Sequence, residues 1–217
     1  MNIEQARFNM VEQQIRPWDV LDHTVLDLLF TVRREDFVPE AHRALAFVDM
    51  EIPLGHGQSM WTPKLEARVL QELAIRPTDR VLEVGTGSGY FTALLAAQAA
   101  EVATVEIVPE LAAAARQKLR AHGITNVETH TGDAARDWFD PSGFDVIVLT
   151  GSTPLLSDAY RQRLREGGRL FAIVGDAPVM QAQLVTRTAP GATRSVTLFE
   201  TCVAPLVNAP HPAAFVF

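Results

Sequence analysis

The chain has 217 residues, of which 47% are hydrophobic and 21% charged, a balance that indicates one globular domain with a small extension. Its net charge of −7 comes without any block of lysine or arginine, which argues against a nucleic-acid partner. No run of 18 apolar residues could span a membrane, and the N-terminus lacks the apolar stretch of a signal peptide, so a cytoplasmic setting is expected.

The N-terminal part of the chain is expected to be mainly helical. Apolar residues at three- and four-residue spacing predict a first helix that Pro17 ends, and Asp22 is placed to cap a second one. A short third helix is expected around residues 39–46, followed by an extended, looping segment over residues 47–60. A helical pattern resumes after Pro63. Packing on the rest of the fold is the expected role of the first helices, with a lid or a dimer contact as alternatives.

Strand and helix patterns alternate from residue 80 onward. Strands are predicted at residues 80–84, 102–106, 127–130, 145–150 and 169–174. Helices are predicted at about residues 89–99, 109–122 and 155–165, the second ended by Gly123 and the third by Gly167 and Gly168. Strands joined by helices predict parallel pairing with right-handed crossovers.

The last predicted element is an antiparallel hairpin over residues 183–203, centred on Pro190 and Gly191. The sequence thus predicts an α/β fold: a doubly wound, mainly parallel sheet with a helical N-terminal extension and a C-terminal antiparallel hairpin. Residues 1–63 are expected to form the extension and a substrate-side loop, and residues 64–217 the ligand-binding domain, in one structural unit.

The single cysteine, Cys202, excludes an intrachain disulfide and a metal site built from several cysteines. It lies in the stretch ETCVAPL, where alternation predicts a small buried residue in a strand. The histidines are scattered singly along the chain, and no metal-ligand spacing is evident. We therefore expect no bound metal.

The stretch RVLEVGTGSGYF, residues 80–91, combines a strand, a glycine-rich turn and the start of a helix. A nucleoside-triphosphate loop would need a lysine after its last glycine, and none is present. A dinucleotide site favours G-x-G-x-x-G, whereas here the third glycine, Gly89, comes one residue early. The stretch is therefore a poor match to either phosphate-binding pattern.

Two acidic residues follow the next two strands. Glu106 ends the second strand, where a carboxylate can accept hydrogen bonds from both ribose hydroxyls, and Asp133 follows the third, where it could meet an adenine amino group. Two acids suit a ligand with ribose, adenine and a positive sulfonium, and they repel a pyrophosphate. The order of these features favours S-adenosylmethionine, although glycine turns and acids at strand ends also occur in α/β domains with other ligands.

With these motifs in order, the chain resembles the protein-L-isoaspartate O-methyltransferase family over about residues 26–206. The matching stretches are VRREDFVPEAHRALAFVDMEIPLGHGQ, RVLEVGTGSGYFTALLA, FDVIVLT, LREGGRLFAIVG and VAPL. The resemblance implies a Rossmann-like methyltransferase fold and repair of damaged proteins by methylation of an isoaspartyl carboxylate. The implied cofactor is S-adenosyl-L-methionine, which leaves as S-adenosyl-L-homocysteine.

The residues expected at the cofactor come from the glycine turn, the two acids and the resemblance. They are Ser59, Met60, Trp61, Glu83, Gly85, Thr86, Gly87, Gly89, Glu106, Ile107, Asp133, Ala134 and Gln181. The substrate-side loop is expected to comprise His56, Gly57, Gln58, Trp61 and Thr62.

One position departs from the family pattern. After Gly57-Gln58 the family carries T-I-S-x-P, with the serine hydroxyl facing the reacting groups, whereas this chain has Trp61 at the serine position. The indole occupies space that an isoaspartyl residue would need and offers one N–H in place of a hydroxyl. Trp61 could be a platform against the sulfonium or a core residue. Thr62 could present a hydroxyl only if the loop shifted by one residue.

A carboxylate acceptor is ionised above a pKa of about 4 and needs positioning more than a general base, so no catalytic residue is predicted. The acceptor is expected to be a protein or peptide carboxylate, with a small molecule as the alternative. A cofactor-binding protein without turnover is a further alternative. The protein could be a monomer or a dimer.

Overall fold

The computed structural model describes residues 2–213. Within them, seven strands form one sheet in the order β5-β4-β3-β6-β7-β8-β9. Its strands are β3 (Arg80–Val84), β4 (Glu101–Glu106), β5 (Val127–Thr131), β6 (Phe144–Thr153), β7 (Leu164–Val174), β8 (Met180–Ala189) and β9 (Ala192–Thr201). A separate two-stranded hairpin is formed by β1 (Ile52–Gly55) and β2 (Gln58–Met60).

The sheet is parallel from β5 to β7 and antiparallel from β7 to β9. The predicted doubly wound α/β fold with a closing hairpin is confirmed. Strand β3 lies between β4 and β6, because the chain runs outward from β3 to β4 and β5 and then crosses back to β6 on the other side of β3. A crevice at such a topological switch point, beyond the carboxyl ends of the strands, is where ligands bind in open α/β sheets.

Six α-helices accompany the strands in the part of the chain that the structure describes. They are α1 (Ile3–Met10), α2 (His23–Thr31), α3 (Pro63–Leu73), α4 (Tyr90–Ala96), α5 (Pro109–Ala121) and α6 (Asp158–Arg163). Asp22 caps α2 as predicted, since its carboxylate accepts hydrogen bonds from the N–H groups of Thr24 and Val25. None of these helices is long and apolar enough to cross a membrane.

The N-terminal helices pack against the sheet domain, as expected. Met10, Val11 and Ile15 are buried in the same apolar cluster as Leu70 of α3 and Phe171 of β7. One continuous core therefore joins the N-terminal extension to the sheet. The boundary at residue 63 stays a prediction.

Several element boundaries differ from the prediction. The extended, looping segment predicted over residues 47–60 contains the short β1–β2 hairpin. Helix α6 ends at Arg163, and Gly168 lies inside β7. A Cβ at Gly168 would lie 2.8 Å from the Arg165 carbonyl oxygen, so this glycine allows a close backbone approach within a strand and does not end a helix.

The prediction for Cys202 was wrong, because this residue is exposed and follows the last residue of β9. Strand β9 is mostly exposed and ends at Thr201, whereas Val203, two residues later, is buried. The alternating pattern in the sequence continues beyond Thr201, the last residue of β9 that pairs with β8, so it predicted a strand where none forms.

Candidate functional site

A cleft, partly open to solvent, lies at the carboxyl ends of β3, β4 and β6. The glycine loop after β3 forms its floor. Residues 58–61 of the N-terminal part form one wall, and residues 203–207, which follow β9, form another. The cleft therefore lies at the topological switch point of the sheet, where ligands bind in open α/β folds.

The floor of the cleft depends on the close approach of Gly85 to β6. Gly85 has φ +99°, and a Cβ built there would overlap Thr150 Oγ1. The Thr150 hydroxyl is 2.8 Å from the Val84 carbonyl oxygen and 2.6 Å from that of Gly85, so it is placed to donate to either. A side chain at position 85 would thus break the contact that shapes the floor.

The two predicted acids lie at the rim, Glu106 held by two backbone N–H groups and Asp133 by one backbone N–H group and the side chain of Asn208. Glu106 Oε2 accepts a hydrogen bond from Gly87 N at 2.8 Å, and its Oε1 accepts one from Val108 N at 3.0 Å. Asp133 accepts from Ala135 N at 2.9 Å and from Asn208 Nδ2 at 2.9 Å. The adjacent strands β4 and β5 thus place both carboxylates on the same side of the glycine loop.

The cleft is strongly acidic. Its described lining includes four carboxylates and no lysine, arginine or histidine: Glu51, Glu66, Glu106 and Asp133. Such a wall repels a pyrophosphate and favours a ligand with positive charge and hydroxyl or amino donors. Adenosine linked to a sulfonium and an ammonium has this chemistry, so the residues present fit S-adenosylmethionine.

Trp61 lies in the core, which is one of the two roles considered for it, and it also lines the cleft. Its side chain is 7% exposed and lies 5.6 Å from the Phe91 ring and 6.3 Å from the Phe171 ring, centroid to centroid, yet it also lines the cleft. Its backbone carbonyl accepts a hydrogen bond from Arg34 Nη2 at 2.6 Å. Trp61 is therefore a core residue whose ring also forms part of the cleft wall.

Thr62 does not line the cleft. It is the N-cap of α3, and its hydroxyl accepts a hydrogen bond from Leu65 N at 3.4 Å. The hydroxyl is committed to the start of the helix and does not replace the missing serine.

The structure brings most of the predicted residues to the cleft. Those that line it are Gln58, Ser59, Met60, Trp61, Gly85, Thr86, Gly87, Glu106, Ile107, Asp133 and Ala134. Besides Thr62, the predicted residues that lie outside it are His56, Gly57, Glu83, Gly89 and Gln181.

Three of these residues, His56, Gly57 and Gln181, lie in or beside strands and outside the cleft lining. His56 and Gly57 form the exposed turn between β1 and β2, both with positive φ. Gln181 is exposed in β8, paired with Val174 of β7. It lies near the carboxyl end of β7, at the edge of the sheet that carries the cleft, but β7 separates it from β6 and the cleft.

Glu83 and Gly89 support the cleft from behind. Glu83 is fully buried, and its Oε2 accepts hydrogen bonds from Thr92 Oγ1 at 2.5 Å and Thr104 Oγ1 at 2.7 Å. Gly89 precedes α4 with φ +84°, and a Cβ there would lie 3.1 Å from Ala115 Cβ. Both residues tie the glycine loop and α4 to the layer beneath them.

Burial makes Glu83 a pH-sensitive element of stability. Burial raises the pKa of its carboxyl to about 8, and the hydrogen bonds from Thr92 and Thr104 limit that rise. The folded protein therefore holds a proton that the unfolded chain, with a carboxyl pKa near 4.5, releases. Folding is favoured by protonation, so stability linked to Glu83 is fully present below about pH 4.5 and lost as pH rises toward 8.

The variant Glu83→Gln, which does not titrate, should be compared with wild type by denaturant unfolding at pH 5 and pH 9. From pH 5 to pH 9, the free energy of unfolding should fall in both proteins. We expect the fall to be larger in wild type than in the variant by a few kcal/mol. The same pH dependence in both proteins would show that Glu83 is not the titrating group.

Several residues of the cleft were missed by the sequence analysis. They include Glu51, Glu66, Thr150 and residues 203–207. The last segment is held against β6 by hydrogen bonds between Ser152 N and the Ala204 carbonyl at 3.0 Å and between Leu206 N and the Ser152 carbonyl at 2.9 Å. The stretch VAPL carried a signal for this segment, but its place in the cleft depends on tertiary packing.

Comparison with known proteins agrees with this site. Residues 5–210 match the model of the family described as protein-L-isoaspartate(D-aspartate) O-methyltransferase. A protein-L-isoaspartate O-methyltransferase of Koribacter versatilis is 39% identical over 202 residues, which cover 93% of this chain and 90% of that relative. One from Methanoculleus marisnigri is 38% identical over 205 residues, 94% of this chain and 92% of its own length.

The fold is shared with solved structures. A Plasmodium falciparum protein named as a candidate protein-L-isoaspartate O-methyltransferase, crystallised with S-adenosyl-L-homocysteine, superimposes with a TM-score of 0.78 at 19% identity. The match covers 95% of this chain and 99% of that one. The family match over nearly the whole chain, the identity of the relatives and the acidic cleft lead to one assignment: the chain belongs to the protein-L-isoaspartate O-methyltransferase family of S-adenosylmethionine-dependent enzymes.

Proposed function

We propose that this protein methylates the free carboxylate of isoaspartyl residues in damaged proteins or peptides. The observation that supports it best is the acidic cleft at the switch point of the sheet, together with membership of the family. Glu106 and Asp133 are proposed to bind the ribose and the adenine, and the backbone around Gly85 and Gly87 to approach the amino-acid end of the cofactor.

When bound, S-adenosylmethionine supplies the methyl group and the positive sulfonium toward which an acceptor carboxylate is drawn. The protein's own residues then need to position the acceptor and exclude water, because an ionised carboxylate is already a nucleophile. The described lining of the cleft offers no cation to an acceptor, so no side chain competes with the sulfonium for the carboxylate. This chemistry requires no general base.

The proposal is tested by incubating the protein with S-adenosylmethionine and two peptides that differ only in one isoaspartyl or aspartyl linkage. We expect a mass gain of one methyl group in the isoaspartyl peptide alone. Methylation of both peptides equally, or of neither, would contradict the proposed acceptor.

The variant Trp61→Ser tests how the indole affects this activity. Replacing a ring packed on Phe91 and Phe171 opens the acceptor side of the cleft and supplies a hydroxyl, so we expect a higher kcat/KM for the isoaspartyl peptide. Loss of the buried ring should also lower the free energy of unfolding by about 3–5 kcal/mol. Trp61→Phe, which keeps an aromatic ring, is the matched control and should raise kcat/KM less than the serine variant.

The position of Trp61 also favours a second candidate, in which the same scaffold methylates a different carboxylate, of a protein or a small molecule. A wild-type protein that methylates neither peptide, with a Trp61→Ser variant that methylates the isoaspartyl one, would identify the indole as the element that redirects specificity.

A further inference from the structure

Glu66 is a buried carboxylate that the proposed roles leave unused. It belongs to the first turn of α3, its side chain is 3% exposed, and it lines the cleft. An ionisable side chain buried to this extent requires a compensating partner. Part of that compensation comes from within the protein, and part is left for a ligand.

Arg34 holds one of the two oxygens of Glu66. Its Nε donates to Glu66 Oε2 at 3.0 Å, while its Nη1 donates to the Ala46 carbonyl at 3.1 Å and its Nη2 to the Trp61 carbonyl. Burial raises the pKa of Glu66 to about 7, and the charge and hydrogen bond of Arg34 limit that rise. Within residues 2–213, the only hydrogen bond to this carboxylate comes from Arg34 Nε and goes to Oε2, so Oε1 accepts none. The carboxylate is thus fixed in orientation with one oxygen free.

Glu66 lies at a defined end of the cleft. The Arg34 guanidinium is 5.4 Å from the centre of the Tyr90 ring, in the first turn of α4, so its partner Glu66 lies beside the end of the glycine loop. Glu106 and Asp133 lie on the other side of that loop, at the ends of β4 and β5. If those two acids hold the adenosine of S-adenosylmethionine, Glu66 faces the methionine part of the cofactor, which carries its ammonium and carboxylate groups.

We propose that Glu66 is a cofactor-specificity residue whose free carboxylate oxygen accepts a hydrogen bond from the α-ammonium group of S-adenosylmethionine. No cationic side chain lines the described cleft, so the ammonium meets no competing positive charge there. Arg34 is the positioning residue that orients Glu66. The inference rests on the cofactor assignment within the proposed function and does not depend on the methyl acceptor.

Calorimetric binding tests it with three ligands: S-adenosylhomocysteine, its des-amino analogue, which keeps the carboxylate, and 5′-methylthioadenosine, which lacks the whole tail. Wild type should bind S-adenosylhomocysteine roughly 10- to 100-fold more tightly than the des-amino analogue, as expected for a charge-assisted hydrogen bond. Glu66→Gln should abolish most of that difference. It should leave the affinity for 5′-methylthioadenosine unchanged, which also shows that the cleft is still folded.

Glu35→Gln is the matched control, since Glu35 is also a buried carboxylate paired with an arginine, Arg7, but does not line the described cleft. It should keep the full preference for the amino group. Equal affinity of wild type for S-adenosylhomocysteine and the des-amino analogue would overturn the proposal even if Glu66→Gln failed to fold. So would a Glu66→Gln variant that keeps the preference and loses only affinity for the acceptor. Failure of the isoaspartyl assay would leave these binding results unaffected.

Discussion

Gly85→Ala is expected to abolish measurable binding of S-adenosylhomocysteine and to lower the free energy of unfolding by about 2–5 kcal/mol. Two effects add. An alanine at φ +99° is strained, and its Cβ would overlap Thr150 Oγ1. The hydroxyl must then move, which separates it from the carbonyls of Val84 and Gly85 and displaces the floor of the cleft. Denaturant unfolding and calorimetry measure the two losses.

Gly123→Ala is the matched control for backbone strain. Gly123 has φ +69° and open space around its Cβ position, so this variant should cost about 1–2 kcal/mol and leave ligand binding intact. Adding Thr150→Ala to Gly85→Ala should recover part of the lost stability by removing the overlapping hydroxyl. Normal ligand binding by Gly85→Ala would show that the close approach to Thr150 does not shape the site.

Arg34→Met is expected to lower the free energy of unfolding by about 3–5 kcal/mol, because it leaves the Glu66 carboxylate buried without its partner. Arg34 is 1% exposed, and its hydrogen bonds join α3 to the backbone of Ala46 and Trp61. Its loss should therefore also loosen the wall that contains Trp61. Unfolding in denaturant gives the stability, and tryptophan fluorescence reports the environment of the wall.

Arg43→Met provides the control at the surface. Arg43 pairs with Asp36 and Glu40 in solvent, and its replacement should change stability by less than about 1 kcal/mol. The double variant Arg34→Met with Glu66→Leu removes both buried charges and should be more stable than Arg34→Met alone. A double variant that is less stable than the single one would contradict the view that the unpaired Glu66 is the main penalty.

Features set by local sequence were the ones that could be predicted. Strand β3, its glycine turn and the start of α4 lie within residues 80–91, and the acids at positions 106 and 133 follow their own strands directly. Because parallel strands end at one edge of a sheet, their order in the chain was enough to place these groups together. Trp61 lies in the cleft wall, two residues before α3 begins at Pro63.

Features set by long-range packing could not be predicted. Nothing in the helical pattern of α3 distinguishes Glu66 from a solvated residue, because its burial depends on Arg34, which lies 32 residues earlier in the chain. The contact of Asn208 with Asp133 spans 75 residues. Gln181 and Cys202 were misplaced for the same reason: the strand order and the end of pairing in β9, which decide their positions, leave no local pattern.

The central claim, that the acidic cleft binds S-adenosylmethionine, is tested most directly by calorimetric titration of S-adenosylhomocysteine into wild type and into Glu106→Gln. We predict binding at a single site in wild type and affinity weakened by roughly tenfold or more in the variant, because a charged acceptor for the ribose hydroxyls is lost. No binding by the folded wild-type protein, or equal affinity in both proteins, would contradict the assignment of this cleft.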